Sequence, residues 1–444
     1  MRFTVGYLGL VIIGVLILGS GHVQAETLQD AVQYMLQTNP EIKSLAYNRL
    51  ARNEEITQAK AGYWPILDVS YGAGVEDQNH PFDDTSWPNS TILSLRQNVF
   101  TGFADQYEVK RQEARVNSAA YLLQGTSENV GLVTSRAYLN VLRQLELLDL
   151  AKENLETHQR IYDQIKLRSE SGIDRKADLD QVKGRLALAE SDVVVSEANV
   201  ADAQTDYQFV VGVIPVDLVK PHSVDSVIPA SLEEAQQLAV KNYPILKSAQ
   251  ADLQAREAQR VVAKSNYYPK LDIAVDQKWE DDVDFPGYSE ELSAIALVRF
   301  NIFKGFRDKA RIAETCYLIK EAREIQNNTK RQIIESIRLS WVAYQSAQNR
   351  IIYLQDYVKS TGATAEAFSK QWNIGRRTMF DVLDIEAELI NSKIELVNSE
   401  YDKTFAQYRI LAGIGQLVHT LGLQWPAESM VENDTSMKGQ GGSL

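Results

Sequence analysis

The chain has 444 residues, 44% of them hydrophobic and 24% charged, and its formal net charge is −13 at pH 7. This acidic balance argues against nucleic acid as a partner. The single cysteine, Cys316, excludes an intrachain disulfide, and the five histidines are scattered without metal-ligand spacing, so we expect no metal and no cofactor.

Residues 1–25 have the pattern of an export signal. Arg2 precedes an apolar run from Tyr7 to Leu18, and small residues follow up to Ala25. The apolar run is shorter than the ~20 residues that a membrane span needs. Cleavage before Glu26 would leave no cysteine at the new N-terminus, so we expect no lipid attachment there. Beyond the signal no stretch approaches ~18 apolar residues, so any membrane crossing must use strands.

An internal repeat predicts the organisation of the chain. Residues 27–68 and 231–272 match at 14 of 42 positions with an offset of 204, and the similarity resumes between residues 96–103 and 299–306 with an offset of 203. A repeat of half the chain is too long for a solenoid and indicates two similar halves in one fold. The predicted units are a signal (1–25), a first repeat (26–212), a proline-containing connector (213–230), a second repeat (231–418) and a polar C-terminal tail (419–444).

Each half is predicted to contain a helix broken at Pro40 or Pro244, a β-hairpin, a long helix and a returning helix. The hairpins are predicted over 64–99 and 268–302 because apolar and polar residues alternate there, as in the stretch Leu67 to Val75. The return strands are predicted at about 91–99 and 292–302. The second of these is less regular, since Ile295 and Leu297 fall on the face that should be polar.

After each hairpin the period becomes helical for almost 70 residues, which corresponds to a helix of roughly 100 Å. The returning helices keep heptad spacing, which predicts coiled-coil seams. In the first of them the seam is Leu179, Val182, Leu186, Ala189, Val193, Ser196, Val200, Ala203 and Tyr207.

Four strands cannot close a barrel, and open sheet edges in lipid would leave backbone groups unpaired. Three chains would supply twelve strands, an even number in the usual range for outer-membrane barrels. The predicted fold class is therefore mainly α with a membrane β-barrel portion: a trimeric 12-stranded barrel, four strands per chain, continued by a long α-helical coiled-coil barrel.

Residues 27–418 resemble the TolC-like outer membrane factors, which are trimeric exit ducts of efflux pumps and type I secretion systems. The most specific similarity lies in the two hairpin-to-helix junctions, with Phe100 and Gly102 in one and Phe303 and Gly305 in the other. Their Phe-x-Gly-Phe form is closer to the secretion branch than to the drug-efflux branch.

The resemblance implies several partners: a homotrimer in outer membrane lipid, a periplasmic adaptor protein, and an inner-membrane ABC or RND transporter. It also implies a periplasmic gate at the second helix turn, with Asp381 and Asp384 as constriction carboxylates. Arg377 matches the latch arginine of the family and Asp178 its acidic partner. Trp372 stands where the family usually has a tyrosine, so it lacks the hydroxyl that the latch would use.

The spacing alone supports two interpretations of the paired carboxylates. Asp381 and Asp384 share a helix face, so three copies would place six carboxylates around a throat and attract cations. Alternatively they are ordinary acidic residues near a helix N-terminus, where negative charge is favourable.

Two other function classes were compared with the duct. An enzyme is disfavoured because the sequence has no P-loop, no dinucleotide-binding glycine motif and no Gly-x-Ser-x-Gly elbow. A periplasmic adaptor would have one coiled-coil hairpin among short strands, whereas this sequence predicts two coiled-coil hairpins. The sequence therefore predicts an outer membrane exit duct, most consistent with type I protein secretion, with multidrug efflux as the alternative.

Overall fold

The computed structural model describes residues 26–78, 84–172, 175–281, 283 and 287–431. The predicted export signal and the last part of the predicted tail, residues 432–444, lie outside the described residues.

The two repeats share their main elements in the same order: two short helical pieces, two long strands, a long helix and a returning helix. In the first they are α1 (Leu28–Thr38), α2 (Pro40–Lys60), β1 (Ile66–Ala73), β2 (Glu76–Gln78), β3 (Asp84–Ser86), β4 (Asn89–Phe100), α3 (Ala104–Glu170) and α4 (Lys176–Val211). In the second they are α5 (Leu232–Asn242), α6 (Pro244–Lys264), β5 (Lys270–Asp281), β6 (Tyr288–Arg299), α7 (Arg307–Asn373), α8 (Met379–Gly413) and the short α9 (Leu417–Thr420). The short strands β2 and β3 pair only with each other and have no counterpart in the second repeat among the described residues.

The predicted breaks at Pro40 and Pro244 are confirmed. Each proline is the first residue of the second helical piece, where its missing N–H costs no hydrogen bond. The residue between the pieces has an extended backbone, and Asn39 also caps α2 by accepting hydrogen bonds from the N–H groups of Glu41 and Ile42.

Helices α3 and α7 have 67 residues each, so each is roughly 100 Å long. Helix α4 packs along α3, and α8 packs along α7. The predicted seam of α4 is confirmed, because its apolar heptad residues are the ones that become buried. They are Val182, Leu186, Ala189, Val200, Ala203 and Tyr207.

The four long strands form one antiparallel sheet with the order β1-β4-β5-β6, so the contact between β4 and β5 joins the two repeats. In that contact Leu95 lies opposite Val275. Strand β6 ends at Arg299, earlier than the predicted residue 302. The reason is that Arg299 pairs with Lys270, the first residue of β5, and the chain offers no further partner beyond it.

The main hydrophobic core lies where α1 and α5 pack against the long helices, and the inter-repeat connector is fixed to it. The Tyr138 hydroxyl lies 2.7 Å from the Val219 carbonyl oxygen and accepts a hydrogen bond from the Val219 N–H. Asp225 of the connector forms an ion pair with Lys403 of α8. These contacts hold the two repeats together as one body.

Residues 419–431, which the sequence assigns to the polar C-terminal tail, are hydrogen-bonded to helix α3. Glu128 of α3 is fully buried and accepts hydrogen bonds from the N–H groups of Leu417 and Val418 and from the Trp425 indole, the last over 2.8 Å. Ser429 is also buried, and its carbonyl accepts a hydrogen bond from Gln124. A buried carboxyl group on a distant helix thus helps to anchor this segment.

No helix in the described part of the chain combines the length and the apolar character needed to span a membrane.

We predict that Glu128→Ala will release the C-terminal segment from α3. The substitution removes the acceptor of two buried backbone N–H groups, and each unsatisfied buried group costs about 1–3 kcal/mol. Limited proteolysis should then cut between residues 417 and 431, and the melting temperature of the helical circular dichroism signal should fall. Glu156→Ala, at an exposed position of the same helix, is the control.

The loss of stability caused by Glu128→Ala should depend on pH. Burial raises the pKa of Glu128 from its ordinary 4.5 to about 7, so folding favours the protonated carboxyl. Its stabilising contribution is fully present below pH 4.5 and is lost as the pH rises through 7. The difference in melting temperature between wild type and variant should therefore shrink over this window, and a constant or growing difference would contradict the assignment.

Candidate functional site at the helix turns

The predicted gate residues lie at the turn between α7 and α8. The Gly375 N–H donates to the Trp372 carbonyl and the Arg376 N–H donates to the Gln371 carbonyl, both over 2.9 Å. This pair of bonds closes the end of α7 as a Schellman motif, which needs a left-handed residue, and Gly375 has φ = +73°. Helix α8 begins only four residues later, so the turn is short and tight.

Asp381 has a structural role at the start of α8. Its carboxylate accepts hydrogen bonds from the hydroxyl and the N–H of Thr378, while the Thr378 hydroxyl accepts from the Asp381 N–H, which together form a capping box. The hydrogen bonds from Thr378 lower the pKa of Asp381 below its ordinary value, and the nearby Arg377 adds to this effect. The helix-start interpretation therefore has a direct structural basis, and it leaves the carboxylate ionised.

Arg377 is held by its own turn. Its guanidinium lies 4.0 Å from the centre of the Phe368 ring, its Nε donates to the Gln371 side chain over 3.2 Å, and its Nη1 lies 3.8 Å from Asp381 Oδ1. Stacking on a ring face and a neighbouring carboxylate are favourable environments for a guanidinium. The side chain is nevertheless partly exposed, so it remains available to a further acidic group.

The structure does not join Arg377 to Asp178 within the described part of one chain. Asp178 lies in the first turn of α4, where its N–H donates to the Arg175 carbonyl. The ion pair that the structure records for Arg377 is with Asp381 instead. The predicted latch pair is thus absent from the single protomer.

Asp384 is paired with a residue that the sequence analysis did not identify. Arg185 of α4 donates from Nη2 to Asp384 Oδ1 over 3.2 Å, which links the returning helices of the two repeats. The Asp384 side chain is 73% exposed, so a single exposed ion pair leaves most of its surface in contact with solvent. No motif or spacing marks Arg185, since its partner lies 199 residues away.

Trp372 is buried and forms part of a second hydrophobic cluster that connects both turns. The cluster consists of Ile161, Ile165, Val182, Trp372, Met379, Val382 and Leu383. The Arg168 guanidinium lies 5.2 Å from the centre of the indole ring. Trp372 therefore fixes the two turns relative to each other by packing, a role that needs no hydroxyl group.

The two hairpin-to-helix junctions share one backbone conformation but have different surroundings. Gly102 and Phe103 have φ values of +69° and +68°, and Gly305 and Phe306 have values of +59° and +63°. A Cβ on Gly102 would lie 2.5 Å from the Ser265 carbonyl oxygen, so only glycine fits. A Cβ on Gly305 would meet nothing within 4 Å in this chain. Phe100 packs edge-to-face against Phe103, and Phe303 packs in the same way against Phe306.

The arrangement of two repeats, long helical hairpins and a four-stranded sheet matches a known family. The model of the outer membrane efflux protein family matches residues 31–213 and 235–416. The chain belongs to the outer membrane efflux protein family. The two matched segments coincide with the two structural repeats.

Members of the outer membrane efflux protein family with established names resemble this chain over nearly its whole length. Outer membrane efflux protein BepC of Brucella suis biovar 1 is 22% identical over 433 residues, which cover 96% of this chain and 94% of that protein. Outer membrane protein TolC of Escherichia coli K12 is 24% identical over 418 residues, which cover 89% of this chain and 83% of TolC.

A solved structure supports the fold of this efflux protein. The crystal structure of the outer membrane protein VceC from Vibrio cholerae superimposes with a TM-score of 0.77 at 16% sequence identity and covers 88% of this chain and 96% of VceC. The predicted fold class, mainly helical with a minor strand portion and two repeats, is therefore confirmed.

Proposed function

We propose that three copies of this chain form an exit duct in the outer membrane for an export machine, most consistent with type I protein secretion. The observation that carries this proposal is the open sheet: in the described part of the chain, β1 and β6 each pair on one side only. Unpaired backbone groups cannot face lipid, and a closed barrel satisfies them all. Three sheets of four strands give the twelve strands that a barrel of this kind needs.

The register of the sheet gives the barrel two different faces. Val69 lies opposite Leu93 and Leu67 lies opposite Leu95, so one face of the first hairpin is apolar. The other face carries Asp68 opposite Ser94, and Ser94 in turn lies opposite Asp276. We assign the apolar face to lipid and the polar face to a water-filled lumen.

The long helices would continue the lumen away from the membrane. Each protomer has two helical hairpins whose longer arms, α3 and α7, are roughly 100 Å long, so three protomers would provide twelve helices for a wall. The turns at their far ends are then the natural place for a constriction. Helix α4 also carries exposed apolar residues beside its buried seam, among them Leu188, Val194 and Val195, which neighbouring helices of such a wall would cover.

In this duct Asp381 and Asp384 would line the periplasmic constriction. Asp381 is held ionised by Thr378, and the Asp384 carboxylate is largely exposed. Three copies would place six carboxylates around the throat, where they would attract cations. Arg185 would reduce the negative electrostatic potential of these carboxylates, because its guanidinium contacts Asp384.

We predict that the double substitution Asp381→Asn and Asp384→Asn will weaken cation selectivity several-fold. Asparagine removes the charge at nearly constant size. The readout is the reversal potential of purified protein in planar bilayers under a salt gradient. The matched control is Asp356→Asn combined with Glu366→Gln. Both carboxylates are exposed and lie on α7 before the turn. An unchanged reversal potential in the first variant would leave only the helix-start role of these carboxylates.

The latch, as proposed, would join neighbouring protomers. Arg377 and Asp178 do not pair within the chain, and the Arg377 side chain is 40% exposed. A neighbouring copy would present its first turn, with Asp178, beside the second turn of this one. Three such pairs would hold the constriction closed, and each would be weak enough to open reversibly.

We predict that Arg377→Ala will raise the conductance of the closed duct. Each exposed ion pair contributes about 0–1 kcal/mol, so three pairs can shift the closed–open equilibrium by up to roughly a hundredfold. Single-channel recording in planar bilayers measures this effect. Arg376→Ala, at the adjacent exposed residue of the same turn, should leave the conductance unchanged. Equal conductance of wild type and Arg377→Ala would remove the latch.

Two observations support protein secretion over multidrug efflux. The junction sequences have the Phe-x-Gly-Phe form that resembles the secretion branch. Proteases secretion protein PrtF of Dickeya chrysanthemi is 21% identical over 409 residues. BepC carries the name of an efflux protein, and this supports efflux, with multidrug efflux as the second candidate function. In either case the partners would be a periplasmic adaptor and an inner-membrane ABC or RND transporter.

Fractionation and deletion test the proposed function together. We expect the protein in the outer membrane fraction as a trimer whose electrophoretic migration changes on heating. Deletion of its gene should remove at least one protein from the culture medium without lowering resistance to drugs. Lower drug resistance with unchanged secretion would favour the efflux alternative, and a protein in the inner membrane fraction would overturn both.

A further inference from the structure

The second hairpin-to-helix junction has the backbone conformation of the first, but its aromatic side chains are exposed in the single chain. At the first junction Phe103 packs edge-to-face on Tyr268, with 5.6 Å between the ring centres, and Gly102 lies against the Ser265 carbonyl. Both contacted residues belong to the second repeat. The first junction is therefore completed by the neighbouring repeat within the same chain.

At the second junction the same side chains are exposed. Ile302 is 90% exposed, and Phe303 and Phe306 are 69% and 71% exposed. The backbone around Gly305 nonetheless keeps the conformation that Gly102 has. An exposed apolar cluster in a conformation that fits a neighbour at the first junction points to a neighbour here as well.

The repeat identifies that neighbour. Ser265 and Tyr268 correspond, 204 positions earlier, to Ala61 and Trp64, where Trp64 is 72% exposed. These residues precede β1, at the opposite edge of the sheet from β6. They cannot reach Gly305 of their own chain, because two strands lie between the edges. They can reach Gly305 of a second copy, since the same head-to-tail contact repeated around a ring closes it.

We propose that β6 of one protomer pairs antiparallel with β1 of the next in the register of the internal β4–β5 contact, and that Gly305 and Phe306 dock on Ala61 and Trp64 of the next protomer. The register follows from the residue offsets between the two repeats, which are 203 between β4 and β6 and 204 between β1 and β5. Leu95 lies opposite Val275 in the chain, and their equivalents, 203 positions later and 204 positions earlier, are Val298 and Tyr71. The same shift places Leu297 opposite Gly72 and Phe300 opposite Val69.

Side-chain size supports this register independently. Leu297 and Ile295 lie opposite Asp272 and Ala274 in β5, so they are apolar residues on the polar face of the sheet. In the proposed register Leu297 lies opposite Gly72, and the next same-face position places Ile295 opposite Gly74. A Cβ on either glycine would meet nothing within 4 Å in the single chain. Large side chains on one protomer would thus cover bare backbone on the next.

The register also preserves the two faces. Val298 and Tyr71 both lie on the face that carries Val69, Leu67 and Leu271. A shift by one residue would exchange the faces along the whole strand. A shift by two would keep the faces but would move Leu297 away from Gly72. The decisive test is therefore to compare the proposed register with a register shifted by two residues.

Disulfide trapping tests the register and rests on the proposed trimer. The background is Cys316→Ser, which removes the single native cysteine. We expect Tyr71→Cys combined with Val298→Cys to give covalent dimers and trimers on oxidation of membranes, which a reductant reverses. Val69→Cys combined with Val298→Cys should give several-fold less product, because positions two residues out of register lie ~7–8 Å or more apart, beyond the usual reach of a disulfide.

The outcomes separate the inference from the proposed function. Stronger trapping of the Val69 pair would overturn the register. Trapping of neither pair, in a protein that migrates as a trimer before heating, would overturn the proposed register while the duct stands. A protein that is monomeric in mild detergent would overturn the duct itself.

A second measurement addresses the junction without cysteines. Trp64→Ala should lower the temperature at which the trimer dissociates on electrophoresis. Trp87→Ala is the matched control, since Trp87 is 70% exposed and lies at the outer end of the first hairpin. Equal dissociation temperatures for the two variants would overturn the docking of Phe306 on Trp64.

Discussion

The backbone hydrogen bonds at the edges of β1 and β6 constrain the rest of this protein. Within a chain, β4 and β5 are satisfied on both sides, whereas the outer strands expose a row of N–H and C=O groups on one side. Such edges invite pairing with another strand, and in lipid they must be paired. In the proposed trimer an identical copy supplies the partner strand, and the contact between β4 and β5 is the example within one chain of how the two repeats pair.

The helical part of a single chain also leaves apolar surface exposed. The core around Tyr138 and the small cluster around Trp372 bury residues near the middle and the far end of the long helices. Between these clusters α7 carries exposed apolar residues, among them Ile352 and Tyr353. A single chain therefore fixes the position of its turns without covering its walls, and neighbouring copies would complete the walls and bring the turns together.

The candidate gate shows how a structural and a functional role can share one residue. Asp381 caps α8 through Thr378, and the same hydrogen bonds keep its carboxylate charged. The short spacing of Thr378 and Asp381 makes this role readable in the sequence. The ion pair of Arg185 with Asp384 was not readable, because it depends on how α4 and α8 pack against each other. The burial of Trp372 could not be predicted from the sequence either, because its expected role was based on a comparison with tyrosine.

The features that depend on local periodicity and on repetition could be predicted from the order of residues alone: two halves, helices broken at proline, alternating strands, heptad seams and glycines at the turns. These follow from chain geometry over a few residues, which the order of side chains records directly. The open strand edges, the end of β6 and the anchoring of the C-terminal segment could not be predicted in this way and were found in the three-dimensional packing. Each of these depends on residues far apart in the chain, such as Glu128 and Leu417, whose contact results from the packing of whole helices.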